Sequence, residues 1–130
     1  MPPRMPSQNM LLALLVLIFA APAAATWKPE YANQPAEVQQ WYRAQRLTPA
    51  AQERFNNQFK SCCDRSDVVK TKFSVNRATS GDEWFWLDDG NWRRVPDDVI
   101  HWGEHAPNKM PTLFVYQGKE TCFFPGEGGI

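Results

Sequence analysis

Glu83-Trp84-Phe85-Trp86-Leu87-Asp88-Asp89-Gly90-Asn91-Trp92-Arg93-Arg94-Val95 carries the clearest local signal in the chain. Its two ends are rich in aromatic and branched side chains, which suit a pleated, half-buried backbone. Asp88-Asp89-Gly90-Asn91 between them supplies residues that accept a positive φ, so residues 83–87 and 92–95 read as a β-hairpin. A period of two places Trp84 and Trp86 on one face and Phe85 and Leu87 on the other. Large aromatics most often build a core, whereas an exposed group of them marks an interaction surface.

Toward the carboxy terminus, Thr112–Tyr116, the pair Gln117-Gly118 and Lys119–Phe124 read as a second hairpin. Toward the amino terminus, Arg77 to Asp82 reads as a turn, preceded by Val69, Thr71, Phe73 and Val75 alternating with Lys70, Lys72 and Ser74 as in a strand with one wet face. Upstream of Cys62-Cys63 the period becomes helical. Val38, Trp41 and Tyr42 form one apolar stripe behind Pro35, and Thr48-Pro49 offers a cap and a first helical position for residues 50–55. These read as two short helices or one broken at Leu47-Thr48. The fold class is therefore α+β, with short amino-terminal helices on a small antiparallel sheet of about five strands.

The chain has 130 residues, with 14 Lys+Arg against 14 Asp+Glu and a formal charge of +0. That balance lacks the basic footprint of a nucleic-acid binder, and no nucleic-acid partner is expected. With 13% aromatic and 22% charged residues, the chain has too much apolar content for intrinsic disorder. Residues 1–25 read as a signal peptide: Arg4 lies near the amino terminus, residues 11–20 (LLALLVLIFA) are apolar, and Ala21-Pro22-Ala23-Ala24-Ala25 supplies small residues for cleavage. Cleavage is expected after Ala25, with Ala23 as the alternative. The apolar run is short for a span, so no stable membrane anchor is expected after cleavage. Residues 26–130 then form a single exported domain, periplasmic or secreted, with flexible ends at 26–34 and 125–130.

Export makes disulfides durable, and the chain holds Cys62, Cys63 and Cys122. Bridging adjacent cysteines strains the peptide between them, so Cys122 is expected to pair with Cys62 or Cys63. A loop of about 60 residues closed this way is stabilised by roughly 4 kcal/mol. One thiol remains over, flanked by Lys60 and Arg65. Residues 97–111 are too long for a simple connection and hold both histidines. Within them, His101-Trp102-Gly103-Glu104-His105 matches the H-x-x-E-H string of inverted zinc peptidases. Gly103 inside the string and Pro107 beyond it oppose the helix that this chemistry requires. Loop histidines making hydrogen bonds are the simpler reading, and no metal or cofactor is expected. The acidic neighbours Asp82/Glu83, Asp88/Asp89 and Asp97/Asp98 read as turn residues rather than a glycosidase pair.

Gln58-Phe59-Lys60-Ser61-Cys62-Cys63-Asp64, Asp67-Val68-Val69-Lys70-Thr71, Glu83-Trp84-Phe85-Trp86-Leu87, Arg94-Val95-Pro96-Asp97-Asp98 and Cys122-Phe123-Phe124-Pro125-Gly126 together resemble a group of small exported bacterial proteins. The resemblance implies a compartment and brings no catalytic residue with it. The leading expectation is a disulfide-stapled, non-enzymatic binding module acting on an envelope protein or glycan. Its surface would be drawn from Trp84, Trp86, Trp102, His101 and His105. The alternative is a small hydrolase or thiol enzyme using His101, Glu104 and His105 or the unpaired cysteine.

Overall fold

Two strongly apolar strands form the middle of the molecule. The computed structural model describes residues 31–127; the expected signal peptide lies outside the described residues. β5 (Thr112–Tyr116) and β6 (Lys119–Phe124) pair as an antiparallel hairpin, and β1 (Asp67–Val68) joins β5 to complete a sheet in the order β1-β5-β6. Thr112 through Val115 and Glu120 through Phe124 are all buried, so both faces of this hairpin require a cover.

One cover is helical. α1 (Ala36–Ala44) turns Val38 and Tyr42 inward, and α2 (Pro49–Arg54) begins with Pro49 in its first turn. The Thr48 hydroxyl caps α2 by accepting the Ala51 N–H at 3.0 Å. Leu47 separates the helices and is itself buried, its N–H donating to the Lys60 carbonyl at 2.8 Å. Trp41 lies edge-on to Phe124 with ring centroids 4.7 Å apart, and Tyr42 meets Phe114 in the same way at 5.8 Å.

The other cover is a second antiparallel sheet, β2 (Phe73–Ala78), β3 (Gly81–Asp88) and β4 (Asn91–Arg94), in that order. Its inner face carries Phe73, Trp84 and Trp86. Phe73 and Trp84 approach Phe123 with centroids 5.6 and 5.3 Å apart. Trp86 donates from Nε1 to Glu120 Oε2 at 2.8 Å, which gives this buried carboxylate a partner. The layers therefore run helices, central sheet, outer sheet, and their buried residues form one apolar cluster.

Six strands in two sheets replace the expected single sheet of about five. The reason lies at residues 69–72. Val68 and Val69 are both buried against β5, and Val69 donates to the Leu113 carbonyl at 3.1 Å. Pairing with β3 starts only at Phe73. The alternating stretch thus passes from one sheet to the other, although its period of two looks continuous. The expected turn at 77–82 is also tighter: Arg77 pairs with Asp82 and Ala78 with Gly81, leaving Thr79-Ser80 as the turn.

The expected flexible end at 125–130 is described only through Glu127. Pro125 and Gly126 are buried, and a Cβ on Gly126 would stand 2.5 Å from the Pro111 ring. Only glycine fits that approach. Within the described part of residues 26–34, Tyr31–Asn33 forms a 3-10 turn. Among the described residues no helix is long and apolar enough to cross a membrane.

Candidate functional site

Residues 97–111 are pinned along the edge of the central sheet. A 3-10 turn over Asp97–Val99 buries Val99, and Ile100 bridges Phe123 in parallel register. The His101 N–H continues this pairing by donating to the Phe123 carbonyl at 2.8 Å. The Thr48 hydroxyl donates to the Asp98 carbonyl, and Arg54 pairs with the Asp98 carboxylate at 2.6 Å. The segment is long because it adds a short strand-like edge before it returns to β5.

That edge carries the His101 ring into the core boundary. Its side chain is 9% exposed and stacks on Phe124, with centroids 4.1 Å apart and planes inclined by 15°. Nδ1 lies 3.5 Å from Glu104 Oε2, whereas Nε2 is buried with no hydrogen-bond partner among the described residues. Burial pushes the His101 pKa below its ordinary value, against the opposing pull of Glu104. The folded chain therefore binds fewer protons than the unfolded chain between that lowered value and the ordinary histidine value of about 6.5. This contribution to stability is complete above the window and declines as pH falls through it. Urea unfolding at a series of pH values should show the decline, and His101→Gln should flatten it. An unchanged pH slope in that variant would refute the assignment.

The H-x-x-E-H string is not helical. Trp102 and Gly103 occupy a turn, with irregular backbone over 104–106, so the two histidines do not share a helix face. His105 instead turns to the end of the chain, its Nδ1 lying 2.7 Å from the Pro125 carbonyl oxygen. Gly103 has a φ of +80°, a left-handed conformation that interrupts helical propagation. Trp84 and Trp86, expected on a binding surface, are core residues at 2% and 0% exposure. Trp102 is 51% exposed.

Cys62 pairs with Cys122, which resolves the alternative left open by the sequence. An isolated Arg46–Ser61 bridge and the Cys62 N–H bond to the Gln45 carbonyl at 2.9 Å hold Cys62 beneath β6. Cys63 is left free and half-buried. Burial raises its thiol pKa, and Arg43 only partly offsets this, so the thiolate that makes a cysteine nucleophilic is disfavoured. The two bonded sulfurs and a ring nitrogen of His101 all lie within 4.8 Å of one another.

A separate groove opens where the outer sheet meets the 97–111 segment. It has a volume of about 620 Å³ and is lined by Asp82, Glu83, Arg94, Asp97 and Trp102, together with Ser80 and Gly81. Arg94 reaches Glu83 at 3.6 Å and Asp97 at 3.5 Å, while Asp82 pairs with Arg77 at 2.8 Å. In the sequence these acids look like turn residues, and nothing local singles out Arg94. The hairpin register contained the missing signal: Phe85 opposite Arg94 sets Arg94 diagonally beside Glu83 on the outer face. No protein-family model, curated protein or solved structure matches this chain, so its reading rests on these two places, the groove and the buried sulfur–imidazole cluster.

Proposed function

We propose that the chain is an exported binding module of the cell envelope, and that its ligand is a glycan bearing amino sugars held in the groove beside Trp102. The observation that carries this reading is a half-exposed indole on a wall of a groove whose other lining side chains are polar or charged. An indole face packs against the C–H face of a sugar ring, and surrounding carboxylates and a guanidinium take its hydroxyl and amino groups. A volume of about 620 Å³ suits a ligand of a few sugar units. Asp82, Glu83 and Asp97 outnumber Arg94 along the lining, which favours a cationic ligand over an anionic one. The ion pairs here are exposed, and such pairs are worth about 0–1 kcal/mol, so a ligand competes for their oxygens at little cost.

The enzyme alternative has less support. The His101 side chain is only 9% exposed, His105 turns away from it to the Pro125 carbonyl, and burial raises the pKa of the Cys63 thiol.

Titration of the protein with glucosamine oligomers and with neutral glucose oligomers, followed by tryptophan fluorescence and calorimetry, tests the reading. The aminated series should bind more tightly. Trp102→Ala should weaken binding by about tenfold or more, equivalent to about 1.4 kcal/mol or more. Removing so exposed a side chain should move stability by no more than about 0.5 kcal/mol. Failure of both oligomer series to bind, or undiminished binding by folded Trp102→Ala, would overturn the proposal.

A further inference from the structure

We propose that, when the Cys62–Cys122 bond is open, the chain binds one zinc-like divalent ion through the two cysteine Sγ atoms and Nε2 of His101. The inference is independent of the groove and stands on three observations. First, the three donor groups already converge, with their ligand atoms within 4.8 Å of one another. Second, Nε2 belongs to a side chain that is 9% exposed, and it has no hydrogen-bond partner among the described residues. A buried imidazole nitrogen left unpaired costs free energy, and a metal ion is one group that satisfies it without a proton. Third, Glu104 Oε2 lies 3.5 Å from Nδ1, the other ring nitrogen. A carboxylate at that nitrogen fixes the tautomer that leaves Nε2 free and makes it a stronger donor, as in carboxylate–histidine–zinc arrangements.

The donor chemistry selects the ion. Two thiolates and an imidazole suit a borderline-soft ion in tetrahedral geometry, and three protein donors leave the fourth position for water. With metal–sulfur distances of about 2.3 Å, tetrahedral geometry sets the sulfurs about 3.8 Å apart. The two Cα atoms are 5.8 Å apart, so side-chain rotation supplies most of that spacing. Oxidation and ion binding exclude one another, because the disulfide removes both thiolates. A dithiol opens the site. The disulfide takes up two electrons and two protons, the dithiol closes to its own disulfide, and ion binding then releases the two thiol protons to water. The imidazole needs no proton transfer, since neutral histidine is the ligating form.

Cobalt(II) titration of the full chain, with and without prior reduction by a dithiol that is then removed under anaerobic conditions, tests the proposal. The reduced chain should bind one ion with thiolate-to-cobalt charge-transfer absorption and tetrahedral d–d bands, and zinc should displace it. The oxidised chain should show neither band. Glu104→Gln should weaken binding by roughly 10–100-fold, the usual effect of losing a group that supports a ligand. His101→Gln should weaken it at least as much, and Cys63→Ser should leave it intact. In a parallel assay on the reduced protein, zinc should protect Cys62 and Cys122 from alkylation in the native sequence, but not in His101→Gln. Absence of the cobalt bands in the reduced chain would overturn the proposal. So would undiminished affinity in His101→Gln, or loss of binding in Cys63→Ser alone, which would place the ion on the adjacent thiols instead.

Discussion

Trp86→Ala should leave the chain largely unfolded at ambient temperature. The side chain is 0% exposed, lies between the two sheets, and donates to Glu120. Truncating a buried tryptophan costs about 3–5 kcal/mol through lost transfer energy and the cavity left behind. A second cost comes from Glu120, which is 5% exposed and would lose its indole donor. Arg93 would remain 3.8 Å from that carboxylate, held in place by Asp88 at 2.8 Å. The same guanidinium stands 5.3 Å from the Trp86 ring centre, so the substitution also removes a cation–π contact. Against a total stability of about 5–15 kcal/mol for a typical domain, these losses are large. Trp86→Phe should cost less. Combining it with Glu120→Leu should recover part of the loss, because replacing both hydrogen-bond partners removes the buried unpaired acceptor. Urea unfolding of the four proteins measures this directly. A loss below about 1 kcal/mol for Trp86→Ala would contradict so central a role, since burial of a large aromatic alone exceeds it.

Breaking the disulfide should have the next largest effect. Cys62 and Cys122 stand 60 residues apart in sequence and join the end of the helical layer to the central sheet. In the loop-entropy account, closing a loop of that length contributes roughly 4 kcal/mol. Cys62→Ala and Cys122→Ala should each lower the unfolding free energy by about that amount, and the double variant should lose little more than either alone, because one bond is removed in every case. Cys63→Ala should be nearly neutral to folding. Thiol counting on denatured, unreduced protein should find one free cysteine, mapping to Cys63. A large loss confined to Cys63→Ala, or strictly additive losses at Cys62 and Cys122, would contradict the pairing.

The candidate site was only partly legible in the sequence. Residues 97–111 stood out because their length exceeded what a connection needs, and Trp102 does line the groove. The two histidines then parted. His101 follows Ile100 into edge pairing with β6, whereas His105 turns to the chain end at Pro125. Nothing in a five-residue string distinguishes these fates, because the acceptors that decide them, the Phe123 and Pro125 carbonyls, lie about 20 residues downstream. The approach of His101 to Cys62 and Cys122 is likewise a product of packing, with no spacing rule to announce it.

Local chemistry in the sequence determined the elements themselves. Thr48-Pro49 starts α2 because a hydroxyl can accept an early N–H and proline needs no donor partner there. Asp89-Gly90 and Gln117-Gly118 close the two hairpins because their backbones accept positive φ, from +49° to +86°. These choices depend on neighbours within a few residues, so the chain states them openly. The division into two stacked sheets, the choice of Cys62 over Cys63, and the burial of Trp84, Trp86 and His101 beside an exposed Trp102 were decided by the tertiary structure. Each depends on covering both apolar faces of the β5–β6 hairpin, and which distant segment covers which face is settled only when the layers close over it.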